Sequence, residues 1–553
     1  MKNKIIASVA FVLLLSPGTA AQQRSATAEI SKSLSIFNSV LRELDMYYVD
    51  SLKHNQLIKT AIDNMLVTLD PYTVYIPESE KEDITFMTTG EYGGVGSIIT
   101  QTKEGICISD PYEGMPAQKN GLKAGDILLE IDGVSTKNMS VAEASAKLKG
   151  TPNTEITLKL KRYGEKKAIV KKFLREKIAI HPISYSEVVA PGVAYILLND
   201  FTENAALELK TTLRDMVSRQ GVHSLILDLR NNGGGLIDEA VKIMGYFVPK
   251  GTEIVSTRGK TEQASFTYNT TVDPVFPDMK VTVLVNSSSA SASEILAGAM
   301  QDLDRGVVIG ERTFGKGLVQ NIRPVSYGGH VKITTAKYYI PSGRCIQAID
   351  YAQRDEEGRI TRVPDSLTSE FRTRMGRIVK DGGGIVPDTL TTDRRTINIA
   401  YYIYAQNLYF DFATRYAASH HSIGDPKLFK LTDKDFNDFV QFLKEQNFSY
   451  TPQTKKYFDD LYDFAKVEGL DKEASAEFEA LKAKLMPDMT VKLNLHRDDI
   501  EELLSAEIIK RYYYQKGVIA YSLQNDVELK TAIQLLSHPD RYDRFFRKEI
   551  SLK

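Results

Sequence analysis

Three short stretches hold the residues best suited to chemistry. The first, Asn286-Ser287-Ser288-Ser289-Ala290-Ser291-Ala292-Ser293-Glu294, follows a continuous apolar run at 281–285 and enters a helical pattern at 294–303. Small side chains at such a junction let a second molecule approach the backbone. The helix start adds unpaired N–H groups and the positive end of the helix dipole. That combination suits a nucleophilic serine beside an oxyanion-binding site. It equally suits plain helix capping, since serine is a favoured N-cap, and the spacing does not separate Ser291 from Ser287, Ser288, Ser289 or Ser293.

The second stretch, Thr313-Phe314-Gly315-Lys316-Gly317, sets a lysine between glycines after a strand-like run at 307–309, with Gln320 four residues on. A free lysine titrates near about 10.4, so a base working near neutrality must be lowered by about three pH units, or ~4 kcal/mol. Burial without a carboxylate partner has that effect, and Phe314 with the flanking glycines fits such a pocket. Gly310 to Lys316 has the glycine–lysine spacing of a phosphate loop, but Gly317 stands where a Mg²⁺-binding Ser or Thr is needed, which excludes nucleotide binding. The third stretch, Asp228-Leu229-Arg230-Asn231-Asn232-Gly233-Gly234-Gly235, puts a glycine-rich loop at the end of a buried-type strand.

The elements that must position these stretches follow from periodicity. Apolar strands at 193–198, 224–229, 281–285 and 307–309 alternate with helical patterns at 205–219 and 294–303, and 331–339 reads as a further strand of the same alternation. Such alternation predicts a mostly parallel, buried sheet with crossover helices. Before it, residues 22–85 read as two amphipathic helices, with Ile36, Phe37, Val40, Leu41 and Leu44 on one face and Leu57, Ile58, Ala61, Ile62, Met65 and Leu66 on another. Pro71 ends the second, because it disfavours helical geometry at Asp70. Residues 86–175 read as a strand-rich unit with a short helix at 116–122, an Asp132-Gly133 hairpin turn, a helix at 142–148 and a strand at 155–162. Residues 396–553 are largely helical, with aromatic stripes such as Phe436, Phe439 and Phe442 that predict core, and no motif for chemistry.

The chain has 553 residues, Lys+Arg 70 against Asp+Glu 71, a formal charge of −1, two cysteines and eight histidines. That balance argues against nucleic acid as a partner, and Cys107 and Cys345 supply neither a disulfide framework nor a zinc site. No metal or cofactor is expected. At the N-terminus, Lys2 and Lys4 precede an apolar run at 5–15 and the small residues Thr19-Ala20-Ala21, the order of a secretory signal peptide over 1–21, cut after Ala20 or Ala21. Eleven apolar residues span only about half of a ~30 Å hydrocarbon core. The expected location is therefore exported and periplasmic, with membrane association left open.

Gly121-Leu122-Lys123-Ala124-Gly125-Asp126, within the strand-rich unit, resembles the corresponding run of PDZ domains. The resemblance implies that Gly94, Val95, Gly96 and Ser97 form a loop that captures a free C-terminal carboxylate while the peptide adds a strand. Arg162, at the end of the unit's last strand, reads as a solvated surface residue, with a salt bridge to the core as the other reading.

The ordered set of Asp228–Gly235, Ser291, Lys316 and the Gly382-Gly383-Gly384-Ile385-Val386-Pro387-Asp388 segment resembles the C-terminal processing peptidases, or tail-specific proteases, over about residues 30–395. The resemblance implies a multidomain α/β fold: an N-terminal helical arm (22–85), an inserted PDZ-like domain (86–175), an α/β protease core (176–395) and an appended C-terminal helical domain (396–553). It also implies that Ser291 is the nucleophile, Lys316 the general base and Gln320 its orienting partner, with the N–H groups of Gly234 and Ala292 as oxyanion hole. Where this family often has serine, the chain has Cys345, to which no role is assigned.

The expected activity is that of a serine endopeptidase acting on polypeptides with free C-termini. The alternative is a PDZ-bearing peptide-binding or chaperone protein with an inactive protease core. A Ser-His-Asp protease is disfavoured, since no histidine lies in a fitting context. A homodimer through the helical arms and a regulatory or adaptor protein are the partners left open.

Overall fold

The computed structural model describes residues 18–354, 360–391 and 398–546. Most of the expected leader, the 395/396 division and the extreme C-terminus lie outside the described residues. Residues up to Tyr75 form one unit and those from Ile76 onward a second.

The first unit contains the helices Gly18–Tyr47 and His54–Val67. Asp70 is buried and accepts from the N–H groups of Tyr72 and Thr73, at 2.8 Å each, which fixes the turn around Pro71. Ile30, Leu34, Phe37 and Met65 are exposed and line an open apolar groove with Ile58 and Ile62. Among the described residues no helix is long and apolar enough to cross a membrane.

In the second unit, strand Glu91–Gly94 pairs antiparallel with Glu176–Ala179, so the chain enters and leaves the PDZ-like insert side by side. The insert is an antiparallel sheet running Ser97–Thr102, Gly105–Pro111, Ile127–Ile131, Glu155–Lys161, Ile169–Leu174, with Val134–Ser135 paired to the third. Its inward positions, among them Ile106, Ile108, Leu128, Ile131, Ile156, Leu158 and Leu160, form one buried cluster. Ser97–Thr102 is the sheet edge. Ser140 and Glu143 make a capping box that starts the helix Val141–Leu148.

The main sheet runs Ile183–Ala190, Val193–Leu198, Ser224–Asp228, Lys280–Val285, Val307–Gly310, Thr389–Leu390; the first pair is antiparallel and the rest parallel. The helices Ala205–Gln220, Ile237–Met244 and Ala292–Asp302 pack against it. Asp228 lies beside Leu284, and Val285 beside Gly310. The three stretches singled out above thus leave the carboxyl ends of three adjacent parallel strands, where open α/β sheets place their sites.

Two features depart from the sequence reading. The strand expected at 331–339 does not continue the main sheet. His330–Tyr339 instead pairs antiparallel with Leu318–Pro324 and Glu253–Gly259 in a second sheet that also holds Phe266–Asn269. The reason lies in its pattern: Lys332, Thr334 and Lys337 interrupt the apolar positions, unlike the continuous apolar runs of a strand buried on both faces. The C-terminal region, read as a separate domain, also completes the core. Leu529, Ala532, Leu535, Leu536 and Tyr542, from helices Val527–Leu536 and Pro539–Arg544, are buried against Tyr195, Ile226, Leu284 and Ile309 of the main sheet. Tyr542 Oη accepts from Val281 N–H at 3.1 Å and donates to its carbonyl at 2.9 Å.

The rest of the helical region has its own core, centred on Phe412, Phe436, Phe439, Phe442, Ile500 and Ile508. Leu529→Ala should therefore destabilise the α/β core, by about 2–5 kcal/mol for a buried leucine. Urea unfolding measures this, and a loss below about 1 kcal/mol would show the contact to be incidental.

Candidate active site

Helix Ala292–Asp302 is buried along its whole length, and a single charged side chain near its start organises everything around it. Glu294 is 0% exposed. Its Oε2 accepts the N–H groups of Ser291 and Lys316, both at 2.9 Å. Its Oε1 accepts Gly315 N–H at 2.7 Å and the Thr313 hydroxyl at 2.6 Å. One carboxylate therefore ties the backbone of the expected nucleophile to that of the expected base. Tyr338 closes the same link from the second sheet, its hydroxyl reaching the carbonyl oxygens of Lys316 at 2.7 Å and Ser291 at 3.3 Å.

The five serines separate here. Ser289 and Ser293 are buried, their hydroxyls donating to the carbonyls of Leu229 (2.8 Å) and Asn232 (2.9 Å). Ser287 and Ser288 sit in the turn before them. Ser291 is partly exposed and adopts φ 57°, ψ −115°, a conformation an L-residue rarely takes, at the turn from strand to helix. Strain of this kind costs about 1–3 kcal/mol and persists where surrounding contacts over-determine it; the bonds from Glu294 and Tyr338 supply that restraint.

The Asp228–Gly235 loop packs directly on Ser291. A Cβ on Gly234 would lie 2.7 Å from Ser291 Cβ and 2.9 Å from Ala292 N, so only glycine fits and the two expected oxyanion donors are neighbours. In this conformation Gly234 N–H donates to Asn232 Oδ1 at 2.8 Å. Asn232 is itself fully buried, donating to the Leu198 carbonyl at 2.7 Å. Gly315 has φ 89°, and a Cβ there would fall 2.3 Å from Ala348 Cβ. Thr313 exchanges hydrogen bonds with Ile385, so the 382–388 segment braces the lysine loop. Gln320 lies on the adjoining strand, its Nε2 donating to Thr334 Oγ1 at 3.1 Å.

In the PDZ-like unit, Gly94 ends the entry strand, Val95 is buried, and Gly96 and Ser97 lead into the sheet edge. Arg162 is neither a solvated residue nor a link to the core: it makes a bidentate pair with buried Asp126 (2.7 Å to each oxygen) and donates to the Gly121 carbonyl. The two cysteines are free, and burial raises both thiols above their ordinary value. Among the described residues no group of three or more His, Cys, Asp or Glu could hold a metal. Sequence reasoning missed Glu294, Tyr338 and Asn232. The Ser-x-x-Glu spacing at 291–294, a capping-box signature in a helix otherwise apolar and small, was the available signal for the first.

A strained serine at a strand–helix turn, a lysine loop on the same carboxylate and an inserted PDZ unit fit a serine peptidase, the class to which the family matches assign the chain. Comparisons with known proteins agree. Residues 192–355 match peptidase family S41, residues 83–161 match the PDZ domain, and residues 399–536 match a domain described as "Probable PDZ-protease, C-terminal helical domain". A carboxy-terminal-processing protease of Bartonella bacilliformis is 36% identical over 321 residues, covering 58% of this chain and 73% of that protein. A "Probable CtpA-like serine protease" of Staphylococcus aureus is 34% identical over 316 residues, covering 57% of this chain and 62% of its own length. A solved photosystem II D1 C-terminal processing protease is 28% identical, with a TM-score of 0.36 over 64% of this chain and 86% of that one. The chain belongs to the carboxy-terminal-processing protease family within peptidase family S41.

Burial pushes the Glu294 carboxyl up to about 7 against four donors that pull it down. Four donors fill the acceptor sites of an ionised carboxylate, and protonation turns one site into a donor and displaces a partner. kcat should therefore fall as pH drops through about 7. Glu294→Gln should lower kcat by about 10²-fold with KM within about threefold, because it misplaces groups rather than removing them. Stability runs the other way. From an ordinary 4.5 up to about 7 the folded chain keeps a proton that the unfolded chain has released, so this group's contribution falls as pH rises. Thermal unfolding across pH 4–8 should show that slope in the wild type and lose it in Glu294→Gln.

Proposed function

We propose that this protein is a serine endopeptidase that recognises exposed C-terminal tails of exported proteins through its PDZ unit and cleaves them by a Ser291–Lys316 acyl-enzyme mechanism. The observation that carries this reading is the single Glu294 carboxylate bonded to both Ser291 N–H and Lys316 N–H. The neutral Lys316 amine takes the proton from Ser291 Oγ as it attacks the scissile carbonyl. The N–H groups of Ala292 and Gly234 receive the oxyanion, Gly234 having first left Asn232 Oδ1. The tetrahedral intermediate collapses as the lysine ammonium protonates the leaving amine, and water then hydrolyses the Ser291 ester with Lys316 again as base. Gln320 orients the lysine.

Tail recognition rests on the edge strand Ser97–Thr102, which can accept a further strand. Ser97 Oγ, at the start of that edge, is buried without a hydrogen-bond partner. The Val95 and Gly96 carbonyls are already held by Ala117 N–H and Tyr112 N–H, so the loop is preformed. A free carboxylate is a far stronger acceptor for such a loop than an amide.

Ser291→Ala and Lys316→Ala should each lower kcat by at least about 10³-fold, and Gln320→Ala by about tenfold, with the thermal unfolding midpoint retained. Near-wild-type hydrolysis by Ser291→Ala would overturn the nucleophile assignment. One apolar-ended polypeptide offered as free acid and as C-terminal amide should be cleaved with a clear preference for the acid; equal kcat/KM would remove tail recognition. Export rests on Lys2, Lys4 and the apolar run at 5–15, and pairing through the arms on exposed Ile30, Leu34, Phe37 and Met65. N-terminal sequencing of periplasmic protein should start at residue 21 or 22. Sedimentation of the purified chain should give a dimer; an intact N-terminus or a monomer contradicts the respective reading.

A further inference from the structure

The C-terminal helical region touches both loops on which the proposed reaction depends. On the PDZ side, helix Arg497–Ser522 lies against segment 110–118. Asp110, buried, receives Lys510 Nζ at 3.3 Å and Gln515 Nε2 at 3.2 Å on the same oxygen. Gln118 Nε2 donates to Tyr514 Oη at 3.1 Å, and Lys516 pairs with Glu113 at 3.0 Å. Tyr514 itself has φ 53°, ψ −159°, a non-helical residue inside the helix at the point of contact. Segment 110–118 is also the brace of the tail loop. Tyr112 N–H donates to Gly96 O at 3.0 Å and Ala117 N–H to Val95 O at 2.7 Å, and a Cβ on Gly96 would stand 2.5 Å from Met115 Cβ.

On the core side, Asp526 caps the next helix through Leu529 N–H at 2.8 Å while its other oxygen takes Arg230 Nη2 at 2.6 Å. Glu528 adds a contact to the same guanidinium at 3.4 Å, and Asp228 holds it from within the strand. Arg230 side-chain exposure is 19% and that of Asp526 is 9%, so water screens this pair little. Arg230 opens the loop that carries Gly234, whose N–H is on Asn232 Oδ1 rather than directed at a substrate.

We propose that the C-terminal helical region couples tail binding to the oxyanion loop, through Lys510 and Tyr514 on segment 110–118 at one end and Asp526 on Arg230 at the other. The two-state element is the Gly234 N–H, held by Asn232 Oδ1 in the structure and by the oxyanion during catalysis. Lys510, Tyr514 and Asp526 are positioning residues, since none reaches substrate. The PDZ half of the proposal rests on the tail-binding reading above; the Asp526 half does not.

The test uses the full chain, a short amidated reporter peptide, and a separate apolar-ended tail peptide added as free acid or as amide. In the wild type the free acid should bind by fluorescence anisotropy and raise reporter kcat by about fivefold or more, and the amide should do neither. Lys510→Ala and Asp526→Asn should still bind the tail within about threefold but lose most of the stimulation. Asparagine retains the helix cap, so Asp526→Asn removes the ion pair and not the helix, and Asp526→Glu should restore stimulation. Asp526→Asn should also lower unstimulated reporter kcat without changing KM, assayed well below the unfolding midpoint of the variant. Stimulation that survives in both variants, or a tail that binds the wild type without stimulating it, overturns the coupling and leaves tail recognition standing. A wild type that does not bind the tail overturns tail recognition and the PDZ half together, and the Asp526 half then stands or falls on the reporter kcat alone.

Discussion

One buried carboxylate holds the candidate active site together. Glu294 has no exposed surface, and an ionised group there is tolerated only because four donors surround it. Those donors are the reason for its position: two belong to the backbone of Ser291 and Lys316, residues 25 positions apart in the chain on different loops. Without it, the strained turn at Ser291 would lose the acceptor of its N–H and be held through its carbonyl, by Ile295 N–H at 2.9 Å and the longer Tyr338 contact at 3.3 Å.

The rest of the architecture serves that constraint. Three adjacent parallel strands bring the serine turn, the lysine loop and the glycine loop to one end of the sheet. Glycines at 234 and 315 let backbones approach where any side chain would collide. The second sheet contributes Tyr338, and the helices Val527–Leu536 and Pro539–Arg544 cover the sheet face that the crossover helices leave open. Because those same helices carry Asp526 onto Arg230, the covering of the core and the positioning of its glycine loop are one structural fact.

Much of this was legible in the sequence, for physical reasons that also explain what was not. Largely apolar runs at 193–198, 224–229 and 281–285, alternating with helical patterns, read as buried parallel strands, and the small residues after the last read as a turn or a helix cap. The Asp132-Gly133 hairpin turn was legible from its Asp-Gly pair, and the structure gives those residues successive positive φ values, 49° and 77°. Spacing alone left Ser291 unseparated from four neighbouring serines; the family resemblance pointed to it, and in the structure the burial and partners of the five differ. The second sheet was hidden because His330–Tyr339 reads as a further strand of the buried alternation, although Lys332, Thr334 and Lys337 mark it as only half-buried. Arg162 and Asp526 were illegible for another reason: their partners lie 36 and 296 residues away, and nothing local marks a side chain as half of a distant ion pair.

The central claim is that Glu294 acts on nucleophile and base as one unit, and a double-mutant cycle on the acylation step tests it most directly. Pre-steady-state acylation by an ester substrate is measured for the wild type, Glu294→Gln, Lys316→Ala and the double variant. If the carboxylate works through the placement of Ser291 and Lys316, the double variant should be little slower than the slower single one, as for residues of one catalytic unit. Losses that multiply, as for independent sites, would contradict the account.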